Sequence, residues 1–181
     1  YYNRPGRRGI LAHYGEVSRA ADRPIVLYNI PQRTGEDLPN DLLAELAQLD
    51  HISAVKQANP DNLALVDGLD LYTGNDDDLA RTLDLGGAGG ILVASHVVGP
   101  EMRAMVDHPE QRAVIDARLQ PIYEALGIGP LVATTKAALR LLGHPVGNPR
   151  LPLVAADERE ITVIHQALER HGLLTGTEAT R

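Results

Sequence analysis

The chain has 181 residues, 44% hydrophobic and 23% charged, with a formal net charge of −7. That composition is ordinary for a globular enzyme, the negative balance argues against nucleic acid as the main partner, and no apolar run approaches the ~20 residues of a membrane helix. The absence of cysteine excludes disulfides, thiolate metal ligands and cysteine nucleophiles.

The chain opens on Tyr1-Tyr2-Asn3, with no initiator Met and no signal peptide, and so reads as a fragment whose N-terminus is missing. Arg4, Arg7 and Arg8 follow as a solvated loop and helix start. Helical periodicity covers roughly 7–21, 39–49, 61–67 and 77–85, with another helix near 100–108. Strand candidates are 24–29, 52–56, 69–73 and 90–95, most of them apolar on both faces, as suits strands covered on both sides. Asn40 is placed to cap the second helix, and Asn75-Asp76-Asp77-Asp78 puts acidic residues at the positive end of another. Gly86 to Gly90 closes that helix and turns the chain into the next strand. Alternation at this spacing predicts a parallel sheet with crossover helices. From about residue 109 the pattern becomes helical, at 110–126, 130–142 and 157–171, with a Gly/Pro-rich stretch between Gly143 and Pro152. The expected division is an α/β body over 1–108 and a helical extension over 109–181. Pattern alone leaves a doubly wound sheet and an eight-stranded barrel both open, and a complete barrel needs ~250 residues.

Cation usage is the sharpest chemical clue. Of 17 Lys and Arg, only Lys56 and Lys136 are lysines. Arginine keeps its proton under ordinary conditions, whereas a desolvated lysine can become a neutral, nucleophilic amine. Lys56 ends an apolar strand, where parallel α/β folds place their chemistry; the plain alternative is a lysine snorkelling to water. Lys136 shares a helix face with Arg140 and reads as a solvated face. Tyr28 ends another apolar strand and could relay protons, and Arg33, in the loop after it, offers a planar fork for a carboxylate. The glycine run precedes a strand rather than opening a helix, so it is a turn and not a phosphate cradle. Asp76 to Asp78 are explained by helix-start chemistry without a metal, and the seven histidines show no zinc-ligand spacing.

Tyr1-Tyr2-Asn3-Arg4-Pro5, Leu27-Tyr28-Asn29-Ile30-Pro31-Gln32-Arg33-Thr34-Gly35, Val55-Lys56, Thr73-Gly74-Asn75-Asp76 and Gly86-Gly87-Ala88-Gly89-Gly90-Ile91 resemble, in order, the signatures of the dihydrodipicolinate synthase family. The step of 28 positions from Tyr28 to Lys56 and the tail from Lys136 to Leu153 fit as well. The resemblance implies a (β/α)8 barrel of class I aldolase type, here only its C-terminal strands plus the helical extension. It implies a Schiff-base lyase that condenses pyruvate with L-aspartate 4-semialdehyde to 4-hydroxy-tetrahydrodipicolinate, in lysine and diaminopimelate biosynthesis. Lys56 would form the covalent imine with pyruvate, with no cofactor and no metal. Tyr28 would shuttle protons, and Tyr2 would complete the relay across a dimer interface. Arg33 would hold the carboxylate of the second substrate, and Gly74 and Ile91 would line the site. The expected assembly is a homotetramer, a dimer of dimers, and the expected compartment is the cytoplasm.

Arg33 favours the synthase branch over the alternative of an N-acetylneuraminate lyase or 2-keto-3-deoxy sugar acid aldolase, which typically lack an arginine there. A further alternative is an inactive partial barrel. The sequence departs from the family at Gln57-Ala58-Asn59-Pro60, where an acidic residue and a Thr-Gly-like turn are more usual. The family's Thr-Thr pair on an early loop is absent with the first strands, and only Tyr1 matches part of the allosteric lysine site.

Overall fold

The structure, a computed structural model, describes residues 2–174; Tyr1, with the role expected of it, lies outside the described residues. Two compact units divide between Leu92 and Val93.

In the first unit, helix α1 (Gly6–Ala21) precedes strand β1 (Ile25–Asn29), a single turn α2 (Pro31–Thr34) and helix α3 (Asn40–Leu46). Strand β2 (Ile52–Gln57), strand β3 (Asp70–Thr73), helix α4 (Leu79–Asp84) and strand β4 (Gly89–Gly90) complete it. The four strands form one parallel sheet in the order β1-β2-β3-β4. Successive side chains of a strand point to opposite faces, which sorts these residues into two sets. Leu27, Val55 and Leu71 join Leu42, Leu43 and Leu46 of α3 in one core cluster, and the large side chains among them have almost no exposure. Burying a leucine of this kind contributes roughly 1.5–3 kcal/mol. The face carrying Val26 and Tyr28 is exposed within this chain. Arg7 does more than solvate a helix start: it bonds Asp41 at 2.7 Å and Glu45 at 2.5 Å, tying α1 to α3.

Several local expectations are corrected. Asn40 is the first residue of α3 rather than its cap; Pro39 holds the cap position without a side-chain bond. The helix expected over 61–67 shrinks to one 3₁₀ turn, Pro60–Asn62, because the Asn59 side chain accepts from the Asp61 amide and makes a local turn. Val66 then bridges Leu69. The strand expected over 90–95 reduces to the Gly89–Gly90 pair. The apolar run after it turns instead, with the His96 and Val97 amides donating to Val93 and Ala94 carbonyls; a short apolar run cannot distinguish strand from helix by period. Asp76–Asp78 forms a 3₁₀ turn ahead of α4.

The second unit is helical: α5 (Ser95–Asp107), α6 (Arg112–Leu126), α7 (Leu131–Leu141) and α8 (Glu158–His171). A capping box between Asp157 and Glu160 starts α8, which packs on both α6 and α7 through Ile164, Ala167 and Leu168. Lys136 and Arg140 are not merely a solvated face. The Lys136 Nζ donates to the Gly147 and Asn148 carbonyls and Arg140 to the Asn148 side chain, so together they hold the Gly/Pro-rich stretch against α7. No helix among the described residues is long and apolar enough to cross a membrane.

Candidate active site at the ends of the parallel strands

Strands β1 and β2 pair with Tyr28 opposite Lys56 and Asn29 opposite Gln57. The first pair points to the open face of the sheet and the second into the buried face. Lys56 Nζ stands 4.2 Å from the centroid of the Tyr28 ring, within the range in which the face of an aromatic ring attracts an ammonium. Neither residue is fully buried: Tyr28 is 41% exposed and Lys56 is half-buried.

Gly74 follows β3, and its amide donates to the Gln57 carbonyl at 2.7 Å. A Cβ there would sit 2.9 Å from the Ala58 Cβ and 3.0 Å from the Lys56 Cε, so glycine is what lets the chain pass alongside the lysine stem. Ile91 follows β4, and its amide donates to the Thr73 carbonyl at 3.0 Å. Lys56, Tyr28, Gly74 and Ile91 therefore lie at one end of one sheet, the carboxyl end at which parallel α/β folds hold their chemistry.

Arg33 sits in α2, immediately after β1. Gly35 ends that turn with a φ of +71°, where glycine is favoured. The Arg33 guanidinium has no hydrogen-bond or ion-pair partner among the described residues, leaving its donors free for an anion. Tyr2 is 89% exposed and makes no hydrogen bond or ring contact within the described residues. A cleft of 530 Å³ opens beside Tyr28, lined by Ile10, His13, Tyr14 and Leu38 among others; Lys56 does not line it. Burial holds the Tyr14 hydroxyl above the usual phenol range. No group of three or more His, Cys, Asp or Glu placed to hold a metal occurs among the described residues.

One feature of the site was missed from sequence. Behind Tyr28 and Lys56, on the buried face, Asn29 and Gln57 join Asp37, Asn59 and Asn62 in a polar network. Burial pushes the Asp37 carboxyl upward, but bonds from Asn29, Asn59, Asn62 and the Leu38 backbone outweigh it and hold the group below the usual carboxylate range. The available signal was period 2 itself, which puts an amide side chain on the apolar face at the last position of both strands.

The family model of the dihydrodipicolinate synthetase family matches residues 1–171. The chain belongs to that family. A 4-hydroxy-tetrahydrodipicolinate synthase of Heliobacterium modesticaldum is 37% identical over 192 residues, covering 99% of this chain and 64% of that protein. The structure of the Cyanidioschyzon merolae family member with lysine bound superposes with a TM-score of 0.90 at 38% identity, over 96% of this chain and 63% of that one. The chloride-inhibited Acinetobacter baumannii synthase complexed with pyruvate gives 0.89 at 28% identity, over 96% and 64%. The chain thus spans less than two thirds of the length of these relatives. Its sheet and crossover helices are part of a (β/α)8 barrel.

Proposed function

We propose that the protein is a class I lyase in which Lys56 condenses pyruvate with L-aspartate 4-semialdehyde. The observation that carries this reading is the placement of Lys56 over Tyr28 at the carboxyl ends of paired parallel strands, with Gly74 against its stem. The pyruvate-complexed relative from A. baumannii supports pyruvate as the first substrate. The Lys56 amine adds to the keto carbon, water leaves, and an imine forms. Loss of a proton from the methyl carbon gives the enamine, which bonds the aldehyde carbon of the semialdehyde while the aldehyde oxygen gains a proton. The substrate's own amine then attacks the imine carbon, closing the ring and releasing Lys56. Splitting one hard step into two through a covalent intermediate is the general use of an amine nucleophile.

In this reading Tyr28 moves protons at the imine-forming carbon, and Tyr2, exposed as it is, serves a neighbouring subunit of a homo-oligomer built from tight dimers. Arg33, its guanidinium unpaired among the described residues, takes the carboxylate of the second substrate. Gly74 and Ile91 line the pocket, no metal or organic cofactor is needed, and the enzyme works in the cytoplasm. Residues 1–108 contribute to the barrel and 109–181 form the helical extension.

The test is borohydride reduction in the presence of pyruvate, on protein expressed from its complete coding sequence, followed by peptide mass mapping. A reduced pyruvate adduct on Lys56, abolished by Lys56→Arg, is expected. An adduct elsewhere, or none, sinks the reading. Turnover with L-aspartate 4-semialdehyde but not with sugar aldehydes then fixes the acceptor. Residues 1–181 expressed alone are expected to show no turnover, since β1 and β4 leave unpaired edges in the described sheet.

A further inference from the structure

Strand pairing alone leaves the last residues of a strand free to fray, yet the proposed chemistry depends on two side chains at such ends. The buried face shows what holds them. The Asn29 side chain donates to Asp37 Oδ1 at 2.8 Å and to Gln57 Oε1 at 2.9 Å, and its oxygen accepts from the Leu38 amide at 3.0 Å. Asn59 ties in twice, its backbone amide donating to Gln57 Oε1 at 3.0 Å and its side chain to Asp37 Oδ1 at 3.2 Å. Asn62 donates to Asp37 Oδ2 at 2.8 Å. Asn29 and Gln57 are each 1% exposed, and no cation pairs with Asp37 among the described residues. One carboxylate thus gathers amide donors from β1, from the turn after β2 and from the 3₁₀ turn beyond it.

Two donors facing Gln57 Oε1 fix the orientation of that amide, and its Nε2 is buried with no hydrogen-bond partner among the described residues.

We propose that Asp37, acting through Asn29 and Gln57, is a positioning residue that clamps the ends of β1 and β2 and so sets Lys56 against Tyr28. This rests on the function proposed above. Asn29 and Gln57 directly follow Tyr28 and Lys56 and are themselves register partners, so any rotation or slip of one strand end relative to the other breaks the Asn29–Gln57 bond and displaces the amine. Asp37 touches no reacting atom in this scheme.

The experiment measures the borohydride-trapping rate against pyruvate concentration for wild type, Asp37→Ala, Asp37→Asn and Gln57→Leu, together with hydrogen exchange of the Ala58 and Asn59 amides. Asp37→Ala and Gln57→Leu are expected to lower the saturated trapping rate by about 10–100-fold, as a misplacement near 1 Å does. The half-saturating pyruvate concentration should change less, and exchange at both amides should quicken. Asp37→Asn, which keeps one acceptor oxygen, should fall between them and wild type. Folded variants that trap at the wild-type rate overturn the positioning role, even if exchange is faster. If Asp37→Ala does not fold, Gln57→Leu, which leaves the carboxylate in place, decides. Failure of wild type itself to trap pyruvate on Lys56 overturns the proposed function, and the positioning role falls with it.

Discussion

Lys56 and Tyr28 are register partners on adjacent parallel strands, and the lysine Nζ lies 4.2 Å from the centroid of the tyrosine ring. The contact brings the amine over the ring face, while the phenol hydroxyl lies at the ring's edge. Ring and hydroxyl can therefore be separated by mutation.

Tyr28→Phe keeps the ring beneath Lys56 and removes only the hydroxyl. Turnover is expected to drop by about 10²–10⁴-fold, the usual contribution of a positioned acid or base, with the thermal midpoint nearly unchanged. Steady-state kinetics alongside a melting curve check this; a variant within about threefold of wild type would remove Tyr28 from the proton relay.

Arg33→Ala should act on the acceptor alone. Losing hydrogen bonds to a charged group costs about 1.5–3 kcal/mol, so the half-saturating concentration of aspartate semialdehyde is expected to rise by about 10–100-fold. The rate of pyruvate trapping on Lys56 should stay as it was. Equal losses with acceptors that carry and lack a carboxylate would contradict the assignment.

Gly74→Ala tests the close approach of the chain to the lysine. The added methyl would lie 2.9 Å from the Ala58 Cβ and 3.0 Å from the Lys56 Cε, and one or both must move. Overpacking of this kind costs about 1–3 kcal/mol. We expect a lower melting temperature and a trapping rate reduced by more than the stability loss explains, measured well below the melting point.

The Asp37 carboxyl is only part-buried; desolvation raises its pKa, but its amide donors outweigh that and hold it below the usual range. A depressed folded value means the stabilisation is complete above the unfolded pKa and is lost as pH falls through the folded one. The gap in urea midpoint between wild type and Asp37→Asn should therefore be steady at neutral pH and close below about pH 4. A gap that persists undiminished at about pH 2 would show that the anion is not what the amides select.

Local order was legible in the residues themselves. The alternation of strands and helices, the helical run at 157–171 and the turn at Gly86 to Gly90 follow from features of contiguous segments: hydrophobic period and turn residues. The same logic failed at 61–67, where the Asn59 side chain makes a local turn, and at 90–95, where a short apolar run fits either period and turns instead. It also failed for Lys136 and Arg140, whose partners Gly147 and Asn148 cannot be read from a helical face.

Folding alone decided which residues meet. The Asp37 network joins positions 8, 22 and 25 apart, and the Asn29–Gln57 bond joins positions 28 apart. Period 2 marks Asn29 and Gln57 as amides on the apolar face, but no local period says which residues they meet. These contacts arise because two parallel strands align in one register and bring their last residues together, with Lys56 and Tyr28 on one face and Asn29 and Gln57 on the other.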